Sequence, residues 1–224
     1  ITITKDQTDR YFVSILVEEN IGTLPMVEKT VGVDVGLKSY LVTSDGEVLD
    51  NPKYYRRDEK KLAKAQRQHA KKKKGSKNRE KARQKVARIH ARIRDTRRDF
   101  QHKVSTKLVR ENQVICLEDL HVKGMLKNHC LAKAISDVGW SELGRQIAYK
   151  AKWYGRTVVT INRFEPSSKT CHDCGYVMDE MPLEIRVWVC PECGVCHDRD
   201  VNAACNIRRV GLTQMACGGT VRPI

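Results

Sequence analysis

The sequence predicts an α/β fold in which a mixed sheet is flanked by helices. Three short strands follow one another between about residues 31 and 50, with the turn Ser44-Asp45-Gly46 before the last, as in an antiparallel meander. Beyond them, helical patterns alternate with two apolar strands, VICLED and RTVVTIN. A meander continued by alternating helices and strands is typical of a layered α/β sheet.

The remaining elements are expected from their hydrophobic periodicity. The opening segment ITITKDQTDRYFVSILVEE predicts a hairpin, with its second strand running from Tyr11 to Val17. A helical region from Asp58 to Arg110 should break near Lys74–Lys77, where charge and glycine disfavour a helix. Another helix is expected from Ala132 to Tyr154, and DVNAACNIRR has the spacing of a closing helix.

The charge of the chain is concentrated in one segment. Of the 42 Lys and Arg residues, 23 lie between Arg56 and Arg110, where there are five acidic residues, and the formal net charge of the chain is +15. A basic helix face opposite an apolar face indicates a docked surface for phosphates rather than a solvated charge run or a membrane surface. The candidate nucleic-acid contacts are Lys71, Lys72, Lys73, Lys74, Lys77, Arg79 and Arg83.

No run of about 18 apolar residues is present, so we expect a soluble, cytoplasmic protein without a membrane partner. The chain begins at Ile1 inside a strand pattern, which predicts a fragment or a truncated protein.

Three acidic residues stand where a sheet could bring them together. Asp34 lies inside the apolar strand VGVDVG, Glu118 ends the strand of CLEDL, and Asp200 opens the closing helix in HDRDVN. Because strand ends and a neighbouring helix start can meet at one sheet edge, we expect the carboxylates to converge. Such carboxylates repel one another unless cations lie between them, and oxygen ligands suit Mg²⁺ or Mn²⁺. Two such ions about 4 Å apart can drive phosphodiester hydrolysis, so the pattern predicts a metal-dependent nuclease.

Each acid also has a simpler interpretation. An isolated Asp in a strand pattern is often a turn or cap residue, and Asp200 could be a helix N-cap. Asp119 and Asp198 are the nearest competitors for the site. We interpret Asp119 as a group that supports the metal ligands and Asp198 as a cap or loop residue.

Four of the nine cysteines form two CxxC pairs separated by fifteen residues, each followed by glycine. This spacing predicts a tetrahedral structural Zn²⁺ site. A closed shell of four thiolates leaves no position for a substrate, so its role is folding and positioning. The predicted ligands are Cys171, Cys174, Cys190 and Cys193. Cys196, His172 and His197 are alternative ligands, with Cys196 the first of them.

Together these motifs resemble those of the TnpB proteins of bacterial insertion sequences, relatives of the type V CRISPR effector nucleases. The resemblance rests on VGVDVG, CLEDL, PSSKTC, the two CxxCG pairs and HDRDVNAACNI, and extends from about Thr30 onward. It implies a ribonuclease H-like fold of the RuvC type with an inserted zinc ribbon. Asp34, Glu118 and Asp200 match the RuvC-like catalytic acids, and the four CxxC cysteines match the zinc ligands of a nucleic-acid-loading finger.

The resemblance further implies an RNA-guided DNA endonuclease that cuts with Mg²⁺ in the bacterial cytoplasm, on the nucleoid, with a guide RNA and a target DNA as partners. The expected organisation is a residual wedge-like hairpin (1–29), a RuvC-like core (30–169), a zinc finger (170–197), the last core helix (198–210) and a tail (211–224). Family members carry a longer amino-terminal region, of which this chain holds at most the last hairpin.

Two other functions fit the same residues. An unguided RuvC-like resolvase or transposase would use the same three acids. A catalytically silent nucleic-acid-binding protein would use the basic helix and the finger alone. The presence of all three acids favours a nuclease over the silent protein.

Overall fold

The computed structural model describes residues 1–182 and 184–217. These residues form two compact units. One contains residues 1–21 and 53–101, and the other contains residues 22–52 and the described residues from 102 onward. The expected mixed α/β architecture is confirmed in the second unit. Residues 53–101, which we expected within the core, group instead with the amino-terminal hairpin.

The first unit combines a hairpin with two helices. Its elements are β1 (Thr2–Lys5), β2 (Tyr11–Ser14), α1 (Tyr54–Ala70) and α2 (Lys77–Glu111), whose last turns belong to the second unit. The expected break between the helices is confirmed, and Gly75 adopts a left-handed φ of 79° there. The two helices are held by a shared apolar cluster: Leu62, Ala65, Ile89 and Ile93.

The second unit is built on a five-stranded sheet. Its strands are β3 (Thr30–Val35), β4 (Ser39–Thr43), β5 (Val48–Asp50), β6 (Val114–Glu118) and β7 (Thr157–Ile161). Their order is β5-β4-β3-β6-β7. β3, β6 and β7 are parallel, whereas β4 and β5 pair antiparallel, so the sheet is mixed.

Four helices and a small strand pair complete this unit. They are α3 (Val122–Met125), α4 (Ala132–Val138), α5 (Trp140–Tyr154), β8 (Val187–Val189), β9 (Cys196–Asp198) and α6 (Arg199–Ala216). No helix within the described ranges is long and apolar enough to cross a membrane.

Three expected boundaries differ from the structure. The continuous helix from Ala132 to Tyr154 is wrong, because Gly139 takes a left-handed φ of 65° and separates α4 from α5. The closing helix continues to Ala216, so part of the expected tail is helical, while residues 218–224 lie outside the described residues. The second hairpin strand ends at Ser14 instead of Val17.

Helix α6 lies directly on the backbone of the sheet. A side chain at Gly32 of β3 would come within 2.6 Å of the backbone nitrogen of Arg208, and closer still to the carbonyl oxygen of Ala204. A side chain at Gly211 would similarly meet the Cys116 sulfur at 2.5 Å. Glycine at these two points therefore allows α6 to cross β3 and β6 in close contact.

The close approach at Gly32 makes this position sensitive to an added methyl group. We expect Gly32→Ala to lower the free energy of unfolding by at least about 2 kcal/mol, because backbone atoms of α6 would have to move. Urea denaturation measures the change. Gly22→Ala is the matched control, since nothing lies within 4 Å of the added carbon, and it should change stability by less than about 0.5 kcal/mol. Equal stability of the two variants would contradict this packing.

Candidate active site

Asp34 and Glu118 stand side by side on two parallel strands. The register of β3 and β6 pairs Val33 with Leu117, and its continuation by one residue sets Asp34 beside Glu118. Side chains alternate between the faces of a strand, so Asp34 shares the face of Gly32 and Glu118 shares that of Cys116. This is the face on which α6 packs.

Asp200 is supplied by the first turn of α6. The N-cap of this helix is Asp198, whose Oδ1 accepts hydrogen bonds from the backbone nitrogens of Asp200 (3.0 Å) and Val201 (2.9 Å). The interpretation of Asp198 as a cap is therefore confirmed, and that of Asp200 as the N-cap is wrong. The carboxylate of Asp200 is left for another role.

The electrostatics of Asp34 connect the three acids. Burial, together with the negative charges of Glu118 and Asp200, raises the pKa of Asp34 to about 8, against the opposite effect of Arg199 and Arg186. Burial also raises the pKa of Glu118. The carboxylates are thus within electrostatic reach, with Asp34 feeling both others. Among the described residues, the carboxylate oxygens of these three acids do not all lie within 4.8 Å of one another. The acids are therefore more widely spaced than the cysteines described below.

Two arginines that the sequence did not single out hold Asp200. Arg186 Nη1 donates to both carboxylate oxygens of Asp200, at 3.0 and 2.9 Å. Arg199 donates to Oδ1 from Nε at 3.3 Å and from Nη2 at 3.2 Å. Arg186 lies between the two cysteine pairs, so the cysteine-rich insert contributes a positive charge to the acids.

A serine and two asparagines tie the acids to the loop after β7. Ser167 Oγ donates to Glu118 at 2.6 Å, and this bond favours the charged carboxylate. The buried amide of Asn206 donates to the carbonyl oxygens of Ser167 (2.9 Å) and Thr170 (2.6 Å). The amide of Asn202, one turn earlier on α6, donates to Thr170 at 2.8 Å. The available sequence signal was PSSKTC together with two asparagines four residues apart on an apolar helix.

The four predicted cysteines converge. Their sulfurs lie within 4.8 Å of one another, with Cys171 to Cys193 at 3.7 Å and Cys174 to Cys190 at 3.6 Å. Tetrahedral thiolates around a cation at about 2.3 Å would be about 3.8 Å apart, so the spacing suits a metal ion. Gly175 and Gly194 follow the pairs at φ 81° and 73°, and donate backbone hydrogen bonds to Cys171 and Cys190. These turns are the ones the CxxCG pattern predicts.

The order expected among the alternative ligands is wrong. Cys196 is exposed and does not join the metal-ligand groups found among the described residues. His197 is buried instead, with Nε2 at 3.1 Å from the Cys171 sulfur and its ring against Trp188. His172 contacts Asn202 through its backbone nitrogen at 3.0 Å. His197 is thus the side chain that supports the cluster most closely.

The basic candidates lie in the first unit. Lys71 to Lys74 occupy the turn between α1 and α2, Lys77 begins α2, and all five lysines are exposed. The two arginines are engaged within the unit: Arg79 donates to the Lys72 carbonyl oxygen at 2.8 Å, and Arg83 pairs with Glu80 at 2.6 Å. The lysines are therefore the more accessible charges.

Comparison with protein families finds two matches. Residues 13–129 match the family OrfB_IS605, described as "Probable transposase", and residues 140–207 match the Cas12f1-like TNB domain. The first match covers the first unit apart from residues 1–12, and the second unit through β6 and α3. The second begins at α5 and includes the cysteine pairs and the first half of α6.

Individual relatives agree with these matches. The chain is 53% identical over its whole length to a "Putative RNA-guided DNA endonuclease" of Streptomyces pristinaespiralis, and 33% identical over 95% of its length to the Escherichia coli protein of that name, InsQ. It spans about half the length of these relatives, at 55% and 57%. Among solved structures, Cas12f1 in complex with sgRNA and target DNA has a similar fold, with a TM-score of 0.59 and 19% identity over 83% of this chain and 50% of that one.

The raised pKa of Asp34 predicts a pH-dependent stability. A carboxyl group whose pKa is higher in the folded than in the unfolded protein contributes stability below about pH 4 that is lost as pH approaches about 8. Without added Mg²⁺ or Mn²⁺, Asp34→Asn should therefore be more stable than the unchanged protein at pH 8, by roughly 1–4 kcal/mol, with the difference vanishing near pH 4.

Denaturant unfolding between pH 4 and 8 measures this difference. Asp50→Asn is the matched control, because Asp50 is an exposed acid at the end of the edge strand β5, and this variant should keep the pH dependence of the unchanged protein. If Asp34→Asn kept the same pH dependence as well, Asp34 would not be the buried acid described here.

Proposed function

The chain belongs to the TnpB family of transposon proteins, and on this premise we propose that it is the nuclease part of an RNA-guided DNA endonuclease. The observation that carries the proposal is the placement of Asp34, Glu118 and Asp200 on one face of the sheet, where Asp34 is affected by both other charges. Acids this close are costly to bury without a cation. The names of the relatives from Streptomyces pristinaespiralis and Escherichia coli support the same activity.

We assign the second unit a ribonuclease H-like fold of the RuvC type with an inserted zinc ribbon. The sheet order β5-β4-β3-β6-β7 and the position of an acid on β3 support this assignment. The similarity in fold to Cas12f1 supports it as well. The strand pair β8 and β9 would be the ribbon of the insert.

The three carboxylates would hold Mg²⁺ or Mn²⁺, because their donor set consists of oxygen atoms. Bound there, such cations activate a water molecule and stabilise the leaving oxygen of a phosphodiester. Asp34 is the acid whose pKa is raised by both Glu118 and Asp200. It has to release its proton to become a ligand, so cation binding should strengthen as pH rises.

The surrounding residues prepare the acids for that role. Ser167 fixes one oxygen of Glu118 through its 2.6 Å hydrogen bond. Arg186 and Arg199 orient the carboxylate of Asp200 and offset the repulsion among the acids. Asn202 and Asn206 hold the loop that carries Ser167. These hydrogen bonds and ion pairs therefore orient Glu118 and Asp200 and reduce the repulsion among the three carboxylates.

The four cysteines would hold a structural Zn²⁺, which suits four thiolates at tetrahedral spacing. The site joins two segments that reach the acids. Cys171 follows the loop of Ser167, and Cys193 is followed by β9 and then by Asp198 and Asp200 at the start of α6. Zinc binding would therefore fix both segments at once.

The basic turn would bind nucleic acid through phosphates. Lys71 to Lys74 and Lys77 are exposed on one side of the first unit, and point charges of this kind bind polyanions with little sequence preference and strong salt dependence. Arg79 and Arg83 would act by shaping this surface, given their partners inside the unit. A guide RNA and its target DNA are the partners that fit the family.

The proposed activity predicts metal-dependent cutting that requires Asp34. Labelled DNA, single-stranded or double-stranded, should be cleaved with Mg²⁺ when copurified RNA is present and should not be cleaved once the RNA is removed. Asp34→Ala should lower the rate by roughly 100-fold or more, because removal of a ligand costs at least as much as removal of its supporting groups. Asp50→Ala, which removes an exposed acid at the end of the edge strand β5, should cut within a few-fold of the unchanged chain. Undiminished cutting by Asp34→Ala would contradict the mechanism. Cutting that does not depend on RNA would indicate an unguided resolvase.

The zinc assignment predicts a different response at the insert. Cys190→Ser should lower the bound zinc, because one of four thiolates is lost, and mass spectrometry of the purified protein measures the content. Cys196→Ser is the control, since this exposed cysteine lies outside the cluster, and it should retain one zinc per chain. Equal zinc content in both variants would contradict the ligand set.

A further inference from the structure

A cleft opens at the carboxyl ends of the parallel strands, beside the proposed nuclease centre. Its volume is about 800 Å³. Partly exposed apolar side chains of Val35, Leu120 and Val122 line it, and so does Glu118. An occupant of this cleft would therefore contact apolar surface and one of the three acids.

An exposed aromatic side chain stands at the rim. Phe164 lines the cleft but is 85% exposed, in the loop that follows β7. Asn162 orders this loop, since its side chain accepts a hydrogen bond from the Phe164 nitrogen at 3.1 Å and its carbonyl oxygen accepts one from Glu165 at 3.1 Å. Three residues later the same loop carries Ser167, which binds Glu118. The aromatic ring is thus presented to solvent on a fixed turn next to an acid.

A cation stands beside the aromatic ring. Arg163, beside Phe164, adds a positive charge whose Nε is held by Asp119 at 3.1 Å.

We propose that this cleft is a nucleoside subsite, in which a base adjacent to the cleaved phosphodiester stacks on Phe164. The inference rests on the proposed nuclease function. An exposed aromatic face, partly exposed apolar side chains and a nearby cation match the base, sugar and phosphate of one nucleotide. Attachment to the phosphodiester explains why the subsite shares Glu118 with the nuclease centre.

The subsite favours a single strand. A base inside a duplex is stacked and paired, so it reaches an external aromatic ring only after unpairing, which costs free energy. A base in a single strand makes the same contact at a lower cost in free energy. Stacking is sequence-tolerant because every base has an aromatic face, which suits an enzyme whose sequence choice lies elsewhere.

Fluorescence of 2-aminopurine tests the contact directly. The probe is placed at successive positions of a single-stranded DNA oligonucleotide and mixed with the full chain in buffer without added Mg²⁺ or Mn²⁺, so that no cutting occurs. One position or two adjacent positions should change fluorescence on binding. Phe164→Ala should abolish this local change and weaken binding roughly tenfold, whereas Phe164→Tyr should retain both.

The matched control is Trp153→Ala. Trp153 is also an exposed aromatic residue, at the opposite end of α5 from the cleft, and its loss should leave the local fluorescence change intact. The absence of a responding position, or an equal response in Phe164→Ala, would overturn the subsite. A Phe164-dependent response in a chain that does not cleave DNA with Mg²⁺ would support the subsite and reject the nuclease function. Asp34-dependent cleavage without a Phe164-dependent response would support the nuclease function and reject the subsite.

Discussion

The direct contact between α6 and the backbone of β3 is the constraint on which the site depends. Gly32 permits it, since no larger residue fits beneath Ala204 and Arg208. The contact fixes the position of α6 across the sheet, and the first turn of this helix carries Asp200. The next turns carry Asn202 and Asn206, whose amides hold the Ser167 loop. One packing contact therefore determines where an acid from a helix and a loop from a strand end meet.

The grouping of the acids has a cost in the absence of a cation. Asp34 is partly removed from water and surrounded by like charges, which is why its pKa rises to about 8. Arg186 and Arg199 reduce the repulsion through Asp200, and Ser167 stabilises the charged form of Glu118. The fold thus keeps the acids together in a state that a divalent cation would stabilise. In the proposed cation site, the buried charge that would serve activity lowers the stability of the cation-free protein, as is common at functional sites.

Much of the fold followed from local patterns. The meander, the two later apolar strands, the break between α1 and α2 and the closing helix were predicted because periodicity and turn chemistry act over short distances. The CxxCG pairs likewise gave the cysteine cluster, since the glycine turns are local. The separation of α4 from α5 was missed because a single glycine inside a helical pattern is usually tolerated, and only packing selects the left-handed conformation of Gly139.

The supporting residues of the site were less predictable. Arg186 lies between the cysteine pairs, and its bonds to Asp200 depend on how the insert folds back on α6. Cys196 was expected before His197 as an alternative ligand. Both side chains can bind metal, and the sequence does not show which of the two is buried. Phe164 follows an apolar strand and would ordinarily be assigned to the core, yet it is exposed. Such contacts are decided by tertiary structure.

The central claim is that Asp34, Glu118 and Asp200 form one cation site, separate from the cysteine site. Crystals soaked in Mn²⁺ and measured near the manganese and zinc absorption edges would locate both metals by anomalous scattering. The account predicts manganese peaks bounded by the three carboxylates and a zinc peak among the sulfurs of the four cysteines. Manganese found elsewhere, with none beside Asp34 at a concentration that supports DNA cleavage, would contradict it.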